Sequence, residues 1–142
     1  MTDTITAAEV EAFYIDQFAP WVKALAIKVE TADGPKSTYR LPMSQDLVRG
    51  GGTPVLSGQA ISAAADTVTV LALMSANGRY RNCTTVDMTV HFMRPIVDAD
   101  VIFEAEVLSN GRRMATTRIT GRADGSPKPA ISATLAFAYL ED

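Results

Sequence analysis

Pro54-Val-Leu-Ser-Gly-Gln-Ala-Ile-Ser-Ala-Ala-Ala-Asp-Thr-Val-Thr-Val-Leu-Ala-Leu-Met-Ser-Ala76 carries a single charge, Asp66. Everything else in it is apolar, small or neutral polar. A helix of this kind has no wet face of its own and must be wrapped by the rest of the protein. Ser57 is placed to cap its start, and Asn77-Gly78 to stop it, so the helix is expected over about 58–76. A carboxylate inside such a helix is costly unless it is paired, protonated or turned toward a cavity. Asp66 is therefore the first candidate for chemistry.

The stretch is long enough to span a bilayer. Its Ser, Thr and Gln content argues against that, and an Asp near the middle adds ~3 kcal/mol to the cost of insertion. No membrane partner is expected. With 142 residues, the chain is long enough for one domain, 1–142, with a substantial core. Its formal charge of −3 offers no basic field for nucleic acid. The single cysteine, Cys83, and single histidine, His91, cannot build a zinc site of the usual kind, so no metal is expected. Met1-Thr-Asp-Thr-Ile-Thr6 lacks the basic start and apolar run of a signal peptide, and a cytoplasmic location is expected.

Around the central helix, Thr6-Ala-Ala-Glu9 is a capping box that opens a short amphipathic helix over about 7–18. Spacing near two from Trp21 to Thr31, the turn Ala32-Asp-Gly-Pro35 and the run Ser37–Leu41 predict a hairpin. Arg49-Gly-Gly-Gly-Thr-Pro54 leads into the central helix. It fits neither the phosphate loop nor the dinucleotide fingerprint and reads as a loop beside a ligand. Four strands are expected after the helix, at about 84–93, 100–109, 112–123 and 129–140, joined as a meander. Asn110-Gly111 marks one of its hairpins. The class is α+β, a curved antiparallel sheet wrapped around one long helix.

Two motifs carry a resemblance. Ser57-Gly-Gln-Ala-Ile-Ser-Ala-Ala-Ala-Asp-Thr67 is similar to the His-Gly-Gly…Leu-Ala-Asp-Thr helix start of the hotdog-fold acyl-CoA thioesterases. Thr85-Val-Asp-Met-Thr-Val-His-Phe-Met-Arg-Pro95 resembles the strand that follows it in the PaaI-like, phenylacetate-pathway group. The resemblance covers about 49–140. It implies a hotdog fold and hydrolysis of an acyl-CoA thioester, with no cofactor beyond the coenzyme A of the substrate. Gly58 takes the place of the glycine whose N–H polarises the thioester carbonyl. Asp66 takes that of the nucleophile or general base. Thr84 or Thr85 falls where a hydroxyl helps place the water. The chain departs from the pattern at Ser57 for His, Gln59 for the second Gly and Gly51 for an upstream Asn. Gln59 and Asn82 are the amides left to act in its stead. Arg79, Arg81, Arg112 and Arg113 are candidates for the coenzyme A phosphates.

Gly58 and Asp66 are eight residues apart, ~12 Å along a helix, too far to serve one carbonyl from one chain. Two helices packed antiparallel about a two-fold axis would bring Gly58 of one beside Asp66 of the other. The resemblance likewise implies a homodimer with two shared sites, and dimers that pair into tetramers. The rival reading, motivated by the departures, is a non-catalytic acyl-CoA or aromatic-ligand binding protein on the same fold. A hotdog dehydratase would need a catalytic His near the helix, and His91 is on a strand.

Overall fold

The expected helix forms as Gly58–Asn77 (α3 below), with the Ser57 side chain accepting from the Ala60 N–H and Gly78 in the left-handed conformation at its end. The computed structural model describes residues 4–141, so Met1 to Asp3 of the opening stretch and Asp142 lie outside the described residues. The earlier helices are α1 (Ala7–Gln17) and the single turn α2 (Pro20–Lys23). The strands are β1 (Lys28–Asp33), β2 (Lys36–Leu41), β3 (Cys83–Phe92), β4 (Val101–Asn110), β5 (Met114–Ala123) and β6 (Ile131–Tyr139). Thr6 and Glu9 make the capping box of α1. Pro20 does more than end α1: it occupies the first turn of α2, where its missing N–H costs nothing. The hairpin strand therefore begins at Lys28, later than the spacing from Trp21 suggests.

The six strands form one antiparallel sheet in the order β1-β2-β4-β5-β6-β3. The expected meander is corrected here, because β3 lies at the far edge beside β6 and β4 pairs with β2. The segment between β3 and β4 is tied across the entry of α3. Leu56 N–H donates to Ile96 O at 3.0 Å, and Asp98 N–H to Pro54 O at 2.8 Å. That anchorage carries the chain over the helix N-terminus and delivers β4 to the opposite half of the sheet.

The concave face of the sheet buries Tyr39, Leu41, Phe103, Ile119, Ile131, Leu135 and Phe137 against Ala64, Ala65, Val68, Leu71 and Ala72 of α3. Alanines let the helix lie close to the sheet. The helix is long and apolar enough to cross a membrane, but 67% of its most apolar window is buried inside this fold. The two sheet edges differ. α1 packs along β1, where Glu11 accepts the Val29 N–H at 2.8 Å. β3 pairs on one side only and is exposed along nearly its whole length. An edge of that kind is open to another strand.

Replacing the Ser57 cap by alanine strands the Ala60 N–H. Ser57→Ala is expected to lower stability by about 1 kcal/mol, seen as a lower urea midpoint at unchanged slope.

Candidate functional site

At the start of α3, the first two backbone N–H groups, of Gly58 and Gln59, take no hydrogen-bond partner among the described residues. Free N–H groups and the helix dipole make this end a donor site for developing negative charge. It opens into a cavity of about 340 Å³ whose lining includes Arg49, Leu56, Ile61, Phe92 and Arg94. A Cβ on Gly58 would sit 3.5 Å from the Phe92 ring, an ordinary contact. Arg94 donates to Pro129 O, whereas the Arg49 side chain has no hydrogen bond or ion pair among the described residues. Neither arginine stood out in the sequence, which did not show that the glycine loop and the end of β3 meet.

Two turns along α3, Asp66 is half-buried, and its Oδ1 accepts the Thr85 hydroxyl at 2.6 Å. A β-bulge decides that it is Thr85 and not Thr84. Thr85 pairs with Phe137 and Asp87 with Ala136, leaving Val86 as the extra residue. The bulge reverses the alternation, so Cys83 and Thr85 share the concave side with Met88, Val90 and Phe92. Thr84 pairs with Ala138 and points to the convex face. Read straight back from Phe92, the alternation would have turned Thr84 inward.

The other candidates scatter. Ser57 is engaged as the helix cap. Gln59 is exposed beside Gly58. Gly51 sits at an exposed loop tip with φ +96°, a conformation that by itself accounts for glycine there. Asn82 accepts from the Tyr80 hydroxyl at 3.2 Å, below Cys83. Arg81 stacks on the Tyr139 ring at 3.5 Å and donates to Glu141, Gly111 O and Arg112 O, so its guanidinium is occupied in joining the chain end to the β4–β5 turn. Arg79 shares Glu141, and Arg112 and Arg113 line the same surface. Arg81 precedes β3, and none of its hydrogen bonds goes to Asp66 or Thr85. Burial, then the Asp66 charge, push the Cys83 thiol up to about 11 against the pull of Arg81. It is a neutral thiol near pH 7, not a nucleophile.

Gly58 and Asp66 thus mark opposite ends of one surface, the first against Phe92 and the second against Thr85. Gln59, Ser62 and Ala63 between them, Asp66 itself and Val70 one turn beyond form the stripe of α3 that its own sheet leaves uncovered. The open edge of β3 runs alongside.

The sequence profile of the thioesterase superfamily matches residues 53–130, a span that holds Gly58, Asp66, Thr85 and Phe92. No curated protein sequence matches the chain. Among solved structures it is similar to a thioesterase of Haemophilus influenzae, with a TM-score of 0.83, 18% identity and coverage of 99% of this chain and 94% of that one. Zebrafish thioesterase superfamily member 2 gives 0.83, 18% identity and coverage of 96% and 99%. The Escherichia coli PaaI protein of the phenylacetic acid degradation operon gives 0.77, 17% identity and coverage of 92% and 90%. At these identities the likeness is one of fold.

Proposed function

Since the chain belongs to the thioesterase superfamily and is a thioester hydrolase, we propose that it cleaves an acyl-CoA thioester with Asp66 of one protomer and the Gly58 N–H of another. The observation that carries this reading is the hydrogen bond from Thr85 to Asp66. It holds one carboxylate oxygen and leaves the other for a water molecule. Asp66 drives the attack, by taking the proton of that water or by attacking the carbonyl itself. The carbonyl oxygen gains charge against the Gly58 N–H. The carbon–sulfur bond then breaks and coenzyme A leaves as the thiolate; with water as nucleophile the proton held on Asp66 passes to that thiolate and the acid is released, and with Asp66 as nucleophile the acyl–aspartyl anhydride is hydrolysed by water in a second step.

The two-chain site is supported by symmetry within the chain. Ser62 is midway between Gly58 and Asp66, and Met88-Thr89 is midway between Thr85 and Phe92. One two-fold axis near both midpoints would set Asp66 beside the partner's Gly58, join two β3 edges, and cover the uncovered stripe of α3. Ser62 and Ala63 are small enough for the helices to approach closely. In this arrangement Arg49, which lines the cavity at the Gly58 end and has no side-chain partner among the described residues, is a candidate for a coenzyme A phosphate. The protein would act in the cytoplasm, where acyl-CoA is formed.

Mixing two inactive variants tests the shared site. Asp66→Asn and Gly58→Pro, unfolded together and refolded, re-pair at random. About half of the dimers are then mixed and each holds one intact site, so about a quarter of the wild-type activity should return. A mixture no more active than its parents would place both residues' work within one chain or dismiss it.

A further inference from the structure

Asp87-Met-Thr-Val-His91 is the regular part of β3, beyond the bulge at Val86. Met88 and Val90 pair with Leu135 and Ala133, which are buried, so both face the concave side of the sheet. Asp87, Thr89 and His91 face the convex side. The Met93 N–H donates to Ala130 O, just before β6, at 2.7 Å. Backbone groups alternate in direction along a strand. Asp87, Thr89 and His91 therefore also bond toward β6, and Met88 and Val90 turn their N–H and C=O groups to the open edge. Asp87 and His91 are exposed, and their side chains have no hydrogen bond or ion pair among the described residues. They stand ~13 Å apart along the strand, so they cannot meet within one chain.

A second β3 lying antiparallel on that edge must match it face for face, each residue meeting one that points to the same side of the sheet. A two-fold axis therefore passes through a residue of β3 and not between two. An axis at Met88 sets Asp87 against Thr89 and, because of the bulge, concave Thr85 against convex His91. An axis at Val90 sets Thr89 against His91 and carries Asp87 past the strand end, against Met93. An axis at Thr89 sets Met88 against Val90, where each exchanges both backbone bonds with the other. It also sets Asp87 against His91 in the non-hydrogen-bonded position, where opposing side chains come closest. Carboxylate then meets imidazole on the convex side and apolar meets apolar on the concave side, each a favourable cross-strand pair. The strand is self-complementary about Thr89 alone. We infer that β3 docks a second copy of this chain in the register centred on Thr89, with Asp87 of each chain against His91 of the other; this rests on the two-chain reading of the site and makes recognition of its own copy the work of these two side chains.

Single cysteines read this register without any assay of turnover. With Cys83→Ala as background, Thr89→Cys sets two thiols across the axis, and mild oxidation should convert most of the protein to a disulfide-linked dimer. Met88→Cys and Val90→Cys, each facing the other position, should stay unlinked. A link through 88 or 90 and not through 89, or no link at any of the three, overturns the register. The charges are tested by unfolding Asp87→Lys and His91→Asp together, one of them isotope-labelled, and refolding the mixture. Alone, the first has only bases at the two positions and the second only acids. In a mixed dimer both cross-strand pairs are of opposite charge. Native mass spectrometry should then find about three-quarters or more of the dimers mixed, against about half for random pairing. Half or fewer overturns the pairing of Asp87 with His91. A link at Thr89 in a protein whose Asp66→Asn and Gly58→Pro mixture regains no activity keeps the register and removes the shared site. Regained activity without the link does the reverse.

Discussion

Asp66→Asn is expected to lower kcat by roughly 100- to 10,000-fold, the range for losing a positioned proton acceptor, while KM changes little. The substitution is nearly isosteric. The side-chain carbonyl of asparagine can still accept the Thr85 hydroxyl, so the contact that aims the group survives. What disappears is the negative charge and the capacity to take a proton or attack. An unaltered thermal midpoint would show that the helix tolerates the change, as the half-buried setting of Asp66 suggests. The decisive measurement is kcat for any thioester that the wild type cleaves. A variant keeping more than a tenth of it would remove Asp66 from the chemistry and leave it as a partner for Thr85.

Gly58→Pro should reduce kcat by roughly 100- to 1,000-fold, the usual loss when one donor to an oxyanion is removed. Proline deletes the N–H and little else. The first position of a helix favours it, because that N–H has no partner within the helix. Ser57, at φ −72° and ψ 147°, already has the extended backbone that the residue before a proline requires. A Cβ at position 58 makes ordinary contact with Phe92. Gly58→Ala is the control, since it adds a similar carbon and retains the donor. If alanine and proline impair turnover equally, the effect is steric and the N–H is not the donor. If neither does, the oxyanion is held elsewhere.

The ends of α3 were legible because capping is local chemistry. Ser57 must reach only Ala60, and Gly78 must only turn the chain. The existence of the strands was legible for the same reason. Their order was not. Alternation tells which side chains share a face but not which strand lies alongside, and the crossover that carries β4 to β2 depends on bonds between Pro54-Leu56 and Ile96-Asp98. The choice between Thr84 and Thr85 was hidden by a single extra residue, Val86, which leaves no mark in composition or spacing. Gly58 and Asp66 could be singled out from one helix and a family resemblance. The stack of Phe13 on Tyr80 could not, because the two are 67 positions apart and only the fold brings them together.

The unlike edges of the sheet have a consequence for assembly. With α1 packed beside β1, where Glu11 holds the Val29 N–H, and β3 bare, the β3 edge is the more open to strand pairing. A protein with two bare edges could polymerise into a ribbon. Pairing of two β3 edges, as in the proposed dimer, would use the most open edge among the described residues, so growth along the sheet would end at two chains. A larger assembly would then have to be built through the faces of the sheet, on contacts that leave the paired edges undisturbed.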